Sequence, residues 1–296
     1  MRKTLLFAFV ICSLWPKAQE IDVLNYKFII DLNDRNDTIK GLTVVTFIQK
    51  SGQPNVSLDL ASVNKQGKGM LAYLVSADQT SDKRLSFSHT AEKLIIDMPL
   101  IKKGDTATIF IAYKGIPADG LIISKNKFGD RTFFADNWPN RAHHWIPCND
   151  RPDDKAMFEF RVTTPAHYSV ISNGFKNGEK ILADNTKRTV WTEPTSLPTK
   201  VMVIGAAKFA TKIYNDSPKD IPVSAWVYPQ DSTKGFYDFA VAPAILKFLS
   251  DYIAPFPYQK LANVQSTTIF GGMENASCIF YAENLVTGDR SSEATV

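Results

Sequence analysis

Short runs in which apolar and polar residues alternate dominate the chain up to about residue 209. From Tyr26 to Leu32 every second residue is large and apolar, as expected for a β-strand with one buried face. Turn-forming residues separate such runs, including Asn173-Gly174 and Asn177-Gly178. The polar, glycine-containing segment 117–129 is predicted to be a surface loop. Further runs that we predict to be strands lie at 41–49, 56–60, 70–76, 93–99, 106–113, 132–137, 157–163, 168–172, 188–192 and 201–207.

No helical period of useful length occurs in this part, so the pattern predicts a β-sandwich or an open saddle of sheets. The pattern changes at the polar turn 215–220. Beyond it, apolar residues recur at three- and four-residue intervals from Val241 to Tyr252, which predicts one long amphipathic helix opened by an N-cap at Asp231-Ser232-Thr233. Pro243 must lie in the first turn of that helix or kink it.

The last part of the chain returns to short apolar runs. We predict strands at 223–228, 261–268 and 277–281, and the start of another helix at 291–292. This change of pattern places a domain boundary at about residue 210, between a β-rich unit at 19–209 and a mixed unit at 210–296.

Residues 1–18 have the pattern of a secretory signal peptide. Arg2 and Lys3 precede the apolar run 5–15, and Ala18 is a small residue suited to cleavage. A membrane span needs about 20 apolar residues, and this run is about half that length. We therefore expect an exported protein, periplasmic or secreted, with no membrane span after the signal is removed.

The charge balance argues against nucleic acid as a partner. The 296-residue chain has 34 basic and 30 acidic residues, and without residues 1–18 the basic count falls to 31. A net charge this close to zero, with no basic block interleaved with aromatic residues, gives no electrostatic footprint for a polyanion. A hydrophobic content of 44% is ordinary for a globular protein, so composition alone excludes little else.

The most informative motif is Gly271-Gly272-Met273-Glu274-Asn275. Two adjacent glycines allow another backbone to lie close against this one, and Glu274 could receive a cation delivered along it. By itself such a glycine pair is more often an ordinary turn. Two further blocks raise its significance, namely 255–260 (PFPYQK) just upstream and 141–155 (RAHHWIPCNDRPDDK).

Together these blocks resemble the zinc aminopeptidases of the aminopeptidase N type, a gluzincin family. The motif at 271–275 matches the family's Gly-x-Met-Glu-Asn signature, the blocks 255–260 and 141–155 match its Pro-Tyr-Pro-x-x-Lys and Pro-Cys-x-Asp segments, and the resemblance runs from about residue 21 to the end. It implies a saddle-like β-sandwich followed by the β-rich start of a thermolysin-like α+β catalytic domain.

The resemblance also implies roles for individual residues. Glu274 corresponds to the carboxylate that binds the free α-ammonium of a peptide, with Gly271, Gly272, Met273 and Asn275 lining the substrate. Asp136 falls where the family has a second amine-binding residue, although a solvated carboxylate at a strand end is an equal alternative. The implied partners are peptides with a free N-terminus.

The family's catalytic zinc needs His-Glu-x-x-His on one helix and a further Glu. After removal of residues 1–18 the histidines are His89, His143, His144 and His167, and none has a partner four residues away. Adjacent side chains on an extended segment point to opposite faces, so we expect His143 and His144 not to share a metal. The resemblance implies that the catalytic base and the zinc ligands lie beyond Val296. We therefore expect zinc in an intact parent enzyme and no zinc site in this chain.

Two functional interpretations follow. The first is a fragment of an exported zinc aminopeptidase that carries the amine anchor, lacks catalytic residues and is inactive alone. The alternative is a non-catalytic peptide-binding or scaffolding module arising from a natural truncation. Cys148 and Cys278 are interpreted as buried free thiols, with a disulfide between them as the other option.

Overall fold

The computed structural model describes residues 20–80, 82–218 and 221–292, and within these ranges the chain is mostly β-strand. The predicted signal peptide, the continuation of the helix predicted to start at 291–292, and Val296 lie outside the described residues. The strands that precede residue 209 are β1 Ile21–Asp31, β2 Ile39–Gln49, β3 Asn55–Asp59, β4 Gly69–Ser76, β5 Phe87–Thr90, β6 Lys93–Asp97, β7 Thr106–Ile116, β8 Leu121–Lys125, β9 Arg131–Ala135, β10 Lys155–Pro165, β11 Ser169–Ser172, β12 Phe175–Ile181, β13 Thr186–Pro198 and β14 Ile204–Ala207.

The alternating runs at the start of the chain form a seven-stranded sheet in the order β12-β13-β10-β1-β2-β7-β4. Only the β1–β10 pair is parallel among its pairings. The apolar face of β1 is buried, and the Phe28 ring stacks on Phe160 of β10 with centroids 4.9 Å apart. Alternation therefore predicted both the strand and the face that enters the core.

Two smaller sheets cover this core. One has the order β3-β6-β5 and the other β11-β14-β9-β8. The segment 141–155 contains only a 3₁₀ turn at Ala142–His144, as its prolines predicted, and a β-bridge between Asp59 and Cys148 joins it to the end of β3. This segment therefore lies against the three-stranded sheet.

The rest of the chain forms a mixed sheet with two helices. Its strands are β15 Ala210–Tyr214, β16 Val223–Val227, β17 Leu261–Ser266, β18 Gly272–Met273 and β19 Cys278–Ala282, in the order β15-β16-β17-β19-β18. The helices are α1 Ser232–Asp238 and α2 Ala242–Tyr252. Within the described residues no helix is long and apolar enough to cross a lipid bilayer.

Three predictions about individual elements were wrong. The segment 117–129 contains strand β8, because Leu121-Ile122-Ile123 pairs with β9 despite polar flanks. Asn177-Gly178 lies inside β12 at a register shift and does not form a turn. The single predicted helix is two helices separated by a 3₁₀ turn at Phe239–Val241, and Pro243 lies in the first turn of α2. Asp231 occupies the predicted N-cap position of α1, although its side chain makes no cap hydrogen bond.

The two groups of sheets meet along a shared core. Phe134 of β9 packs edge-on against Phe280 of β19, with ring centroids 5.4 Å apart. Phe209, between β14 and β15, packs edge-on against Trp226 of β16, with ring centroids 5.8 Å apart. The mainly β fold is thus confirmed, whereas the division at residue 210 stays a prediction.

Candidate functional site

Strand β18 holds the Gly-Gly-Met-Glu-Asn motif at the edge of the mixed sheet. Gly272 and Met273 pair antiparallel with Tyr281 and Phe280 of β19. Met273 and Asn275 are buried, whereas Glu274 between them is exposed. Alternate side chains point to opposite sides of an extended backbone, so the Glu274 carboxylate faces outward. The buried side chains of Met273 and Asn275 fix the backbone on either side of it.

The turn that follows is anchored by the predicted Asn173-Gly174 turn of the first unit. Asn173 Nδ2 donates to the carbonyls of Ala276 at 2.5 Å and Val201 at 3.0 Å, and its Oδ1 accepts from Val203 N at 2.8 Å. Gly174 N donates to Ser277 Oγ at 3.0 Å. The contacts to Ala276 and Ser277 link residues 103 positions apart, so the backbone after Glu274 is held by the β-rich unit.

Lys260, the lysine of the PFPYQK block, makes a second link of this kind. Its Nζ donates to the carbonyls of Ser172 at 2.8 Å and Ser277 at 3.0 Å, and it lies 5.1 Å from the centre of the Trp191 ring. Burial lowers the pKa of Lys260, and the negative potential of Cys278 and Glu193 opposes that shift. Burial also raises the pKa of the Cys278 thiol to about 11, against the opposing charge of Lys260.

Glu274 and Asn275 line two neighbouring cavities. One has a volume of about 290 Å³ and is also lined by Trp138, Phe270 and Gly272. The other has about 720 Å³ and extends toward Tyr258. Lys200 and Val201 line both cavities. Among the described residues no cation forms an ion pair with Glu274, so its carboxylate can accept a charged group from a ligand.

Asp136 has a different environment from the one expected for a solvated carboxylate. It follows β9 and is 1% exposed, so the solvated alternative is wrong. Its Oδ1 pairs with Arg141 Nη2 at 2.5 Å, and its Oδ2 is buried without a hydrogen-bond partner among the described residues. Burial raises the pKa of Asp136, and the charge and hydrogen bond of Arg141 act against that rise. Asp136 is not among the described residues that line the two cavities.

The prediction that the side chains of His143 and His144 point to opposite faces was wrong. His143 and His144 belong to the 3₁₀ turn, so their rings lie on the same side with centroids 4.4 Å apart. Burial lowers the pKa of His143, but the hydrogen bond and charge of Asp150 outweigh it, and the pKa is raised overall. One ligand atom each from Glu92, His143 and His144 lie within 4.8 Å of one another. The prediction that this chain has no zinc site is therefore not confirmed.

The acidic residues of the 141–155 segment differ in their exposure. The Asp150 side chain is shielded and lies against His143, and Asp154 is buried and accepts a hydrogen bond from Val23 N at 3.1 Å. Arg151 and Asp153 form an exposed ion pair at 2.7 Å. Both cysteines, Cys148 and Cys278, are buried free thiols, the interpretation favoured from the sequence.

Several residues near Glu274 were not identified from the sequence. Trp138, Lys200 and Phe270 line its cavity, and Asn173 was interpreted only as a turn residue. Phe270 is adjacent to the motif, so proximity could have indicated it. The others come from distant segments, and nothing in their local sequence indicates where they meet the motif.

Comparison with known proteins identifies relatives of this chain. The profile of the peptidase M1 N-terminal domain matches residues 23–201. Probable aminopeptidase 1 of Sulfurisphaera tokodaii is 24% identical over 283 residues, which cover 93% of this chain and 33% of that protein. Glutamyl aminopeptidase of Mus musculus is 25% identical over 151 residues, 50% of this chain and 16% of that protein.

Solved structures show the same fold. The M1 zinc metallopeptidase of Deinococcus radiodurans superposes with a TM-score of 0.73 at 19% identity, covering 90% of this chain and 61% of that one. A mutant of it bound to a Tyr-Ser-Ala substrate gives a TM-score of 0.74 at 18% identity. This chain thus spans a third or less of the length of the two curated relatives. Because the domain profile covers more than half of its residues, the chain belongs to the peptidase M1 family, the aminopeptidase N type of zinc metallopeptidase.

Proposed function

We propose that this chain supplies the amine-binding part of the substrate site of an M1 aminopeptidase, with Glu274 as the anchor. The observation that supports this most is an exposed carboxylate without an ion-pair partner among the described residues, at the rim of a cavity of about 290 Å³. A carboxylate about 4 Å from an ammonium gains roughly 4 kcal/mol at an effective dielectric constant near 20, before desolvation is subtracted. An internal peptide bond offers only a neutral amide at that position, so peptides with a free N-terminus are preferred.

The glycines suit an extended ligand. A Cβ added to Gly272 would make only ordinary van der Waals contacts, at 4.0 Å from Phe280 O and Tyr281 Cδ1, so no neighbour crowds this residue. A peptide can then approach the backbone of β18 and exchange main-chain hydrogen bonds with it. Asp136, which is 1% exposed and lines neither of the two cavities, is given no role in this proposal.

The residues present do not fit the family's catalytic zinc. The printed sequence contains no His-Glu-x-x-His, and the cluster of Glu92, His143 and His144 has a different order and spacing. The expectation that the catalytic base and the zinc ligands lie beyond Val296 stays a prediction. We therefore derive no hydrolytic step here. In this proposal the chain binds peptides and does not cleave them, while an intact parent enzyme hydrolyses the N-terminal peptide bond with zinc.

A binding experiment with matched peptides tests the anchor. Tyr-Ser-Ala and its N-acetylated form are titrated into the 296-residue chain, followed by calorimetry or NMR. The free peptide should bind about tenfold more tightly or better, equivalent to about 1.4 kcal/mol. Glu274→Gln should remove that preference, and Asp251→Asn, which changes an exposed carboxylate on α2, should leave it intact. Equal binding of both peptides to the unaltered chain would contradict the proposal.

Export is the remaining part of the proposal, and it depends on the basic start and apolar run within residues 1–18. The mature protein should begin after Ala18. The intact mass of the protein recovered from its native compartment checks this, since retention of residues 1–18 would contradict export by cleavage.

A further inference from the structure

Three potential metal ligands come from two segments that are about fifty residues apart in the chain. Glu92 lies in the two-residue turn between β5 and β6, next to Ala91 with a positive φ of 51°. His143 and His144 lie on the 3₁₀ turn of the 141–155 segment. One ligand atom from each of these side chains lies within 4.8 Å of the other two. The fold therefore brings together two imidazoles and one carboxylate away from the Gly-Gly-Met-Glu-Asn motif.

The backbone around this cluster is fixed by three consecutive residues. Leu60 N donates to Glu92 O at 3.0 Å, and Ser62 N donates to Ala91 O at 2.7 Å. Between them, Ala61 N donates to His143 O at 2.9 Å. One short stretch of chain thus holds both the hairpin turn and the 3₁₀ turn, so the three side chains start from a preorganised frame.

Asp150 orients the first imidazole. His143 Nδ1 lies 2.7 Å from Asp150 Oδ2, and Asp150 Oδ1 accepts a hydrogen bond from Thr199 Oγ1 at 2.6 Å. A carboxylate in this position fixes the proton on Nδ1 and leaves the lone pair of Nε2 free, as it does behind metal-bound histidines in general. The His143 side chain is 9% exposed, so this arrangement is largely shielded from water.

Two nitrogen atoms of the cluster have no hydrogen-bond partner among the described residues. They are His143 Nε2 and His144 Nδ1, and both are buried. A buried polar atom left without a partner costs free energy, and such atoms are uncommon in native proteins. His143 Nε2 is also 3.9 Å from Glu92 Oε1, too far for a hydrogen bond and close enough for both to contact one ion.

We propose that Glu92, His143 and His144 bind a divalent transition metal of the zinc type, with Asp150 as the partner that orients His143. Two imidazole nitrogens and one carboxylate oxygen suit zinc, whereas Mg²⁺ and Ca²⁺ prefer sites made of oxygen. At zinc–ligand distances of about 2.0–2.1 Å, tetrahedral ligand atoms lie about 3.3 Å apart. The Glu92 side chain is 66% exposed, so it can rotate to close the remaining distance.

The proposed ligands differ in sequence pattern from those of the family's catalytic zinc. They do not follow the His-Glu-x-x-His pattern, and they lie on the β5–β6 hairpin and the 141–155 segment. Three protein ligands leave a fourth position for water. The bound ion cross-links the three-stranded sheet to the segment that carries Asp150, so binding should stabilise this face of the protein.

Calorimetric titration of Zn²⁺ into the metal-free 296-residue chain tests the proposal. We expect one ion per chain, a higher unfolding temperature with Zn²⁺, and no comparable effect of Mg²⁺. Glu92→Gln and His144→Gln should each weaken Zn²⁺ binding at least tenfold. His167→Gln, which changes an exposed histidine outside the cluster, should not affect Zn²⁺ binding.

Asp150→Asn tests the orienting role. Loss of the carboxylate behind a metal-bound histidine is expected to weaken binding by about 10–100-fold. Circular dichroism of metal-free Asp150→Asn shows whether weaker binding comes from a folding defect. Glu92→Gln gives a second test, because Glu92 is exposed and its replacement should leave folding unchanged. Absence of stoichiometric Zn²⁺ binding, or equal affinity in the unaltered chain, Glu92→Gln and His144→Gln, overturns the proposal and leaves His143 paired with Asp150 and Glu92 without an ion.

Discussion

Among single side chains, Lys260 links the candidate site to the β-rich unit through two hydrogen bonds. Its ammonium is buried and bridges the carbonyl of Ser172 in β11 to that of Ser277, three residues after Glu274. A buried charge is costly unless hydrogen bonds compensate for it. The buried ammonium of Lys260 needs both carbonyl oxygens, those of Ser172 and Ser277, to compensate for its burial. This requirement couples the β-rich unit to the motif.

Replacement of Lys260 tests that coupling. Lys260→Met keeps much of the side-chain volume but removes both hydrogen bonds, so we expect the free energy of unfolding to fall by about 1–3 kcal/mol. Lys247→Met is the matched control, because Lys247 is exposed on α2 and its ion pair with Asp251 is worth about 0.5 kcal/mol or less. Urea unfolding measures both changes. Equal effects of the two substitutions would contradict the role given to Lys260.

Two glycines near the motif differ in whether they can be replaced by a residue with a side chain. Gly174 has a φ of 68°, and an added Cβ would lie 2.0 Å from the carbonyl oxygen of Thr192. Gly272 has ordinary φ, and an added Cβ would make only ordinary van der Waals contacts at 4.0 Å. Gly174→Ala should therefore destabilise the fold by more than about 1 kcal/mol, whereas Gly272→Ala should leave stability unchanged or raise it by up to about 1 kcal/mol.

The peptide-binding proposal adds a second measurement to this comparison. A methyl group on residue 272 stands where a peptide backbone is proposed to lie, so Gly272→Ala should weaken binding of Tyr-Ser-Ala while the protein stays folded. Thermal unfolding and calorimetric titration of the same samples check both statements. Undiminished peptide affinity in Gly272→Ala would place the ligand elsewhere.

Sequence analysis identified residues whose chemistry and spacing are local, and it did not identify those that depend on distant partners. The motif around Glu274 is continuous in the chain, so its pattern could be recognised, although its role stays a prediction. Glu92 carries no local signal, because its significance arises from His143 and His144 some fifty residues later. The assumption that His143 and His144 diverge was wrong, since it needed an extended backbone and the 3₁₀ turn places them side by side.

Among the secondary-structure elements, those with one buried face were predicted well. β1, β2 and β7 alternate clearly because each has a core side and a solvent side. β8 was assigned to a loop because it is short and most of its residues are only partly buried. The helix pattern from 231 to 252 did not reveal the break at Phe239–Val241, because a 3₁₀ turn hardly disturbs three- and four-residue spacing.

The end of α1 fixes the loop that follows β19. The buried Asp238 carboxylate accepts backbone hydrogen bonds from Thr287 and Gly288 at 2.8 Å each, and from Arg290 at 3.1 Å. Hydrogen bonds to a charged acceptor contribute about 1.5–3 kcal/mol each in favourable cases. A single side chain at a helix end thus holds three amides of a segment that has no regular structure of its own.

Asp238→Ala should release that segment without unfolding the sheets. We expect faster hydrogen exchange at the amides of 287, 288 and 290, with protection in β17 and β19 unchanged. Asp251→Ala, on the exposed face of α2, provides the control. Unaltered exchange at these three amides in Asp238→Ala would show that other contacts hold the loop.

For the protein as a whole, the two groups of sheets are expected to behave as one cooperative unit. A single cluster of buried residues includes Phe134, Ile171 and Trp191 from the β-rich part, together with Ala262, Val264 and Phe280 from the mixed sheet. A second cluster, around Phe239 and Leu246, belongs to the mixed sheet and the helices. Because the first cluster crosses residue 210, the predicted boundary divides sheets and does not divide the core.

Phe280→Ala tests this cooperativity. Phe280 is fully buried and packs against Phe134 across the two groups of sheets, so its truncation should lower the free energy of unfolding by about 3–5 kcal/mol. Hydrogen exchange in β9 and β17 should report the same loss, because the cavity weakens both sides of the shared core. Phe248→Ala, which truncates a side chain that is 62% exposed on α2, should change stability by less than about 1 kcal/mol. If β17 lost protection in Phe280→Ala while β9 kept it, the two units would unfold separately, and the site at Glu274 could open without the β-rich unit.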